Sequence, residues 1–210
     1  MNVQVAGVDE VGRGALFGPV VAGAVILSEA QAKHLSELGV TDSKKISPQR
    51  RAILFDEIRE SSIACAVGLA SVAEIDRLNI LQASLLAMKR SIARLSCTPT
   101  LCLIDGNKAI PNLDIPQETI IKGDESSLAI ASASIIAKVW RDRLIIQMAQ
   151  RFPQYDLASN KGYGTKKHRD AIHKWGASRY HRLSFKPCQV SIDSSKKADP
   201  SSDAQINLEL

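Results

Sequence analysis

Apolar and small side chains alternate over residues 3–8 as they do in a strand, whose successive side chains point to opposite faces. A near-continuous apolar run covers residues 20–27, and shorter runs at 63–70, 101–104 and 119–121 complete five predicted strands. Between them the period lengthens. Ser47 followed by Pro48 places a cap before a proline at a first helical position and leads into a helix over residues 50–60. Apolar residues at helical spacing recur over 81–95. Leu128, Ala131, Ile135 and Val139 mark a long helix after Asp124, and a short one is expected over 166–174. The order describes an α/β chain that begins with sheet and alternates strand with helix later.

Acidic residues fall at the ends of these elements. Asp9 and Glu10 follow the first strand, flanked by Gly7 and Gly12 and continued by Arg13, Gly14, Gly18 and Pro19. Two adjacent carboxylates face one cleft only where a strand ends or bends, and glycine permits such a bend. Asp105 closes the 101–104 strand before Gly106, and Asp124 stands at the helix start beside Gly123. Each has a structural alternative when taken singly: an acidic hairpin tip in solvent, an Asp-Gly turn, a helix cap. As a set they supply the oxygen ligands of a divalent cation from several separate elements. With no His or Cys cluster beside them, the donors favour Mg²⁺ or Mn²⁺ over Zn²⁺, and the implied chemistry is phosphoryl transfer.

Several separated segments together resemble one family, ribonuclease HII, the type 2 ribonuclease H of bacteria. They are Gly7 to Gly14 with both acids and the Gly-Arg-Gly triplet; Phe17 to Ala24; Asp42, Ser43, Lys44; Asp105, Gly106; and Lys122, Gly123, Asp124. Ala133 to Val139 with Arg141 and Asp142, then Lys161 to Thr165, and finally His181, Arg182, Ser184 and Phe185 extend the resemblance over most of the chain. It implies a ribonuclease H-like fold: a mixed five-stranded sheet flanked by helices, with a small helical C-terminal portion from about residue 165.

The resemblance also implies roles. Asp9, Glu10, Asp105 and Asp124 would hold two Mn²⁺ or Mg²⁺ ions, Asp9 bridging them. One ion would activate water and the other would stabilise the leaving 3′ oxygen, giving 5′-phosphate and 3′-hydroxyl ends. The backbone of Gly12, Arg13 and Gly14 and the side chain of Tyr163 would recognise a ribose 2′-hydroxyl at an RNA to DNA junction. Lys44, with Lys45, would touch phosphate, unless both are turn lysines. The expected activity is cleavage of RNA in RNA–DNA hybrids and nicking of duplex DNA 5′ of single ribonucleotides, used in ribonucleotide removal. A hybrid-binding protein that does not cut, and a resolvase or exonuclease with the same metal geometry, are the alternatives. Gly12, Gly14 and Gly18 do not make a dinucleotide fingerprint, because the third glycine is one position too far and acids precede it. Ribonuclease HIII shares the acids but usually carries an extra N-terminal domain, and here Met1 lies two residues before the first predicted strand.

Composition suits a soluble cytoplasmic enzyme: 210 residues, 45% hydrophobic and 23% charged, enough for one substantial core. No apolar run approaches the ~20 residues of a membrane helix. Cys65, Cys97, Cys102 and Cys188 lack metal-ligand spacing and read as reduced thiols. The net charge of +5 is concentrated in Lys161, Lys166, Lys167, Arg169, Lys174, Arg179, Arg182 and Lys186, opposed over that stretch by Asp170 alone. A cationic surface beside Tyr163 would follow a phosphate backbone, or else form a solvated basic helix. Residues 1–187 read as one catalytic domain and 188–210 as a disordered tail. Its end, with Gln205, Leu208 and Leu210, resembles the peptide by which bacterial repair proteins dock on the sliding clamp. A monomer is expected.

Overall fold

The computed structural model describes residues 4–189. The chain opens with an antiparallel pair, β1 (Val5–Val11) and β2 (Val20–Ile26), and after helices α1 (Glu29–Glu37) and α2 (Pro48–Ser61) adds β3 (Ala64–Ala70). Helices α3 (Val72–Leu78) and α4 (Ile80–Ala93) lead to β4 (Leu101–Asp105) and β5 (Gln117–Ile120). A single turn, α5 (Gly123–Ser126), precedes the long α6 (Leu128–Ala149), and α7 (Leu157–Asn160) and α8 (Lys166–Trp175) close the fold. The sheet order is β3-β2-β1-β4-β5, with β1–β2 and β2–β3 antiparallel and β1–β4 and β4–β5 parallel. This is the expected mixed, ribonuclease H-like α/β fold.

Both sheet faces are covered. Ala6, Val8, Ala22, Ala24 and Ile104 pack toward α4, while Val21, Val25 and Val67 pack toward α6. That explains why β2 reads as an unbroken apolar run: every one of its residues is buried. The α6 helix lies hard against the sheet. A Cβ at Gly7 would stand 2.1 Å from the Ala129 carbonyl carbon, and one at Gly23 would stand 2.3 Å from the Ala133 oxygen.

Two expectations change. First, β1 does not stop at residue 8 but runs through Asp9 and Glu10 to Val11, because β2 keeps pairing with it to the Val11–Val21 register. Second, Asp124 does not begin the long helix. It sits in α5, and Ser127 caps α6 by accepting from the Ile130 N–H. Cys188, at the expected end of the catalytic portion, is buried with its Sγ 3.8 Å from the Leu16 carbonyl oxygen. Helices α1 and α3 were not foreseen; each announces itself by a capping box, Ser28 with Gln31 and Ser71 with Glu74. All four cysteines are free thiols, and among the described residues no helix is long and apolar enough to cross a membrane.

Candidate active site

The parallel β1–β4 pairing brings the first two acids together. Val8 pairs with Ile104, so Asp9 and Asp105 are each the next residue, on the α6 face, Asp105 at the carboxyl end of β4 and Asp9 two residues before that of β1. Open α/β sheets place their sites at such strand ends. Asp105 Oδ1 accepts the Gly123 N–H at 2.7 Å, which fastens the start of α5 and with it Asp124 to the same edge. Glu10, the next residue along an unbroken strand, alternates to the opposite face, where its Oε1 lies 3.1 Å from Arg13 Nη1.

Electrostatics shows how close the group is. Burial pushes Asp9 well above the usual carboxylate range, and the charges of Glu10 and Asp105 add to it against a hydrogen bond from Ser134. Glu10 is raised by burial and by Asp105, with Arg13 opposing. Asp105 is raised by burial and by Asp124, with the Gly123 N–H and Lys44 opposing. Lys44 Nζ stands 3.2 Å from Asp124 Oδ2. Burial works against that ammonium, but the bond to Asp124 and the charges of Asp124, Asp42 and Asp9 outweigh it and its pKa rises.

Among the described residues no three His, Cys, Asp or Glu side chains are arrayed as a metal cage. Glu10 is turned toward Arg13 and Asp124 toward Lys44. The donor chemistry nonetheless suits a hard divalent cation. These are oxygen donors only, and three of the carboxyls are held above their ordinary pKa, with an ammonium already drawn to the fourth.

Lys44 is presented by a built turn. The Asp42 carboxylate accepts the Lys44 N–H at 2.9 Å, the buried Arg51 donates to the carbonyls of Ser43 and Ile46, and Ser43 Oγ meets Ser134 Oγ at 3.0 Å. Ser134 therefore joins the Lys44 turn to Asp9 through α6.

Beside the acids, the Gly12–Gly14 segment and Tyr163 share one platform. Ala15 bridges Tyr163, and the Leu16 N–H donates to the Gly162 carbonyl at 2.8 Å. Beneath them two fully buried arginines donate to main-chain carbonyls: Arg141 to Phe17, Pro19 and Lys161, and Arg182 to Arg13 and Gly18. The Arg141 guanidinium carbon lies 5.6 Å from the Tyr163 ring centroid and Lys138 Nζ lies 5.9 Å from it. Arg182 thus leaves the cationic surface assigned to it and becomes an internal clamp. The rest of that stretch is partly compensated: Lys166 pairs with Asp170, Lys167 with Asp156, and Lys174 lies over Trp175.

A family described as ribonuclease HII matches residues 6–188. The chain belongs to that family. A ribonuclease HII of Acaryochloris marina is 64% identical over 90% of this chain and 96% of its own length. Among solved structures, ribonuclease H2 from Pyrococcus horikoshii superposes with a TM-score of 0.77 at 25% identity, covering 89% of this chain and 96% of that one. The ribonuclease HII solved in complex with PCNA from Archaeoglobus fulgidus gives 0.63 at 29% identity, covering 81% and 86%. As a ribonuclease HII the chain is a type 2 ribonuclease H, an enzyme that hydrolyses the RNA strand of RNA–DNA hybrids.

Ser134, Arg51, Arg141 and His168 received no role from the sequence. The legible signal was a polar residue among the apolar positions of α6, at Ser134 and Arg141, both of which are buried. Gln205, Leu208 and Leu210 lie outside the described residues.

Proposed function

We propose that this ribonuclease HII also nicks duplex DNA on the 5′ side of a single embedded ribonucleotide, in a divalent-metal-dependent reaction that serves ribonucleotide removal in the cytoplasm. The observation that carries the reading is the adjacency of the Asp9–Asp105 carboxylate pair to the platform shared by Gly12, Arg13, Gly14 and Tyr163. Asp9, Glu10, Asp105 and Asp124 are the residues that would hold Mg²⁺ or Mn²⁺. When bound, the ions supply an activated water and charge stabilisation at the leaving 3′ oxygen.

The chain's own groups do the rest. Lys44, its side chain 81% exposed, releases Asp124 and meets a phosphate of the bound strand. Gly14 and Arg13 offer main-chain groups to the ribose, and the Tyr163 hydroxyl and ring read its 2′ side. Arg141 and Arg182 hold the carbonyls of that platform inward, so its remaining polar groups face the substrate. The working unit in this reading is a monomer, residues 1–187 forming the catalytic domain.

The tail is read as a tether: Gln205, Leu208 and Leu210 dock on the sliding clamp, a reading supported by the PCNA complex of the Archaeoglobus relative. Deleting the last six residues should abolish clamp pull-down while leaving hydrolysis intact; unchanged pull-down would discard the tether.

Cleavage of a labelled DNA duplex containing one ribonucleotide tests the main reading, with Mg²⁺ or Mn²⁺, for the native chain, Asp9→Asn and Tyr163→Ala. A nick 5′ to the ribonucleotide, absent in Asp9→Asn and weakened in Tyr163→Ala, is expected. Cutting of all-DNA or branched substrates with no cut at the ribonucleotide would discard the 2′-hydroxyl reading and keep the acids.

A further inference from the structure

Two histidines lie buried under the Tyr163 loop. His168, on α8, and His181 are fully buried. The Ser178 N–H donates to His181 Nδ1 at 2.9 Å, so that nitrogen is bare and the ring's proton is on Nε2. The two Nε2 atoms are 3.1 Å apart, which makes His181 the donor and His168 the acceptor. The His168 proton is then on Nδ1, and it is donated to the Tyr163 carbonyl oxygen at 3.0 Å. Three hydrogen bonds run in one direction and end on the Tyr163 main chain, whose carbonyl also accepts the Thr165 N–H at 2.8 Å.

The anchored peptide needs an anchor. Tyr163 is flanked by Gly162, with φ +85°, and Gly164, neither of which restrains the backbone through a side chain. On the other side of the platform, Phe17 bridges His181 and packs edge-on against its ring at 5.0 Å, and Tyr155 packs against the same ring at 4.6 Å. The histidine pair therefore touches both halves of the platform, the segment that continues from Gly14 and the loop that carries Tyr163.

We propose that His168 and His181 are positioning residues for ribose recognition: the relay from Ser178 through both rings fixes the Tyr163 peptide, and so its ring, against the Gly12–Gly14 segment. This rests on the reading of Tyr163 as the group that recognises the ribose. Burial keeps both rings neutral, which the relay requires. His168 is lowered by burial against the Tyr163 carbonyl and Asp156, and His181 is held at about 3 by burial and by His168 against the Ser178 N–H.

The test compares kcat and KM on a duplex with one embedded ribonucleotide and on a uniform RNA–DNA hybrid, taking the ratio of kcat/KM as junction preference. In His168→Asn the amide nitrogen stands where Nδ1 stood and can still reach the Tyr163 carbonyl. In His168→Gln it stands where Nε2 stood and cannot. Junction preference should fall about tenfold in His168→Gln, the loss of one well-placed hydrogen bond, mainly through KM. His168→Asn should keep it, although its larger cavity gives the lower melting temperature of the two. Preference that merely follows melting temperature across the two variants would overturn the proposal. So would an unchanged His168→Gln beside a Tyr163→Ala that has lost preference. A Tyr163→Ala that keeps full preference would overturn the underlying reading and the proposal with it. Histidine ¹⁵N shifts of the unaltered protein give a check that needs no variant: Nε2–H for His181 and Nδ1–H for His168 are expected, and the opposite tautomer at either ring would refute the relay.

Discussion

The main chain at Gly12 passes so close to Arg141 that a Cβ there would stand 2.2 Å from the guanidinium Nε. Gly14, two residues on, has nothing within 4 Å of the equivalent point. One Gly-Arg-Gly triplet thus holds glycines for different reasons. Gly12, at φ +90°, is required by the interior, whereas Gly14 borders open space.

Alanine substitutions should separate the two. Gly12→Ala combines a disfavoured backbone region with a clash against a buried arginine and should cost about 2–3 kcal/mol of stability. Gly14→Ala should melt with the native protein yet lose kcat/KM on a duplex bearing one ribonucleotide. Thermal melts paired with cleavage assays check both, and a Gly14→Ala of native activity would remove the triplet's backbone from the substrate contact.

Asp9→Asn removes a buried carboxylate whose neighbours are also acidic. Without divalent ions the variant should be more stable than the native chain, by roughly 1 kcal/mol, because the uncompensated charge is gone. The increase in melting temperature that Mn²⁺ confers on the native protein should shrink or vanish. Calorimetry with and without Mn²⁺ reads this independently of turnover; an undiminished metal-dependent rise would count against Asp9 as a ligand.

Ser134 holds both Asp9 and the turn that presents Lys44. Groups that orient metal ligands typically matter by about 10–100-fold in affinity or activity, and Ser134→Ala is expected within that range. A Mn²⁺ titration of activity is the measurement. Lys44→Ala should behave differently: freeing Asp124 should tighten apparent Mn²⁺ affinity while turnover falls.

The pH dependence of stability should carry the signature of His181. Its folded pKa of about 3 lies below the ordinary histidine value of about 6.5, so between those limits the unfolded chain binds the extra proton. Stability from this ring is complete above pH 6.5 and is lost as pH falls toward 3, at no more than about 1.4 kcal/mol per pH unit. Denaturant unfolding at pH 7, 5 and 4 should show a shallower slope for His181→Gln than for the native chain. Parallel slopes would mean that the ring is not buried neutral.

Much of the fold follows from local chemistry that a sequence displays directly. Unbroken apolar β2, alternating β1 and the Ser47-Pro48 start of α2 each depend on neighbours a few residues away. The shorter α1 and α3 escaped because they bury so little: Leu35 alone in α1, Val72 and Ile75 in α3, too few to establish a period. The acids were legible because each stands close to a glycine at the end or start of a predicted element, although the route by which they meet was not. β1 runs straight through Asp9 and Glu10, and the meeting is made by the parallel partner β4.

The sequence by itself determined which residue types were available for chemistry: four carboxylates close to glycines, a Gly-Arg-Gly triplet and a tyrosine between glycines. Only the tertiary structure decided what the remaining charged and aromatic groups do. Arg182 reads as a surface cation, and Arg141 carries no assigned role, because an isolated guanidinium belongs in water. Folding supplies them with main-chain carbonyls from segments more than 100 residues away, and that compensation lets them be buried. His168 and His181, 13 residues apart, become one relay for the same reason: a buried polar group must find a partner, and the partner is set by packing rather than by neighbours in the chain.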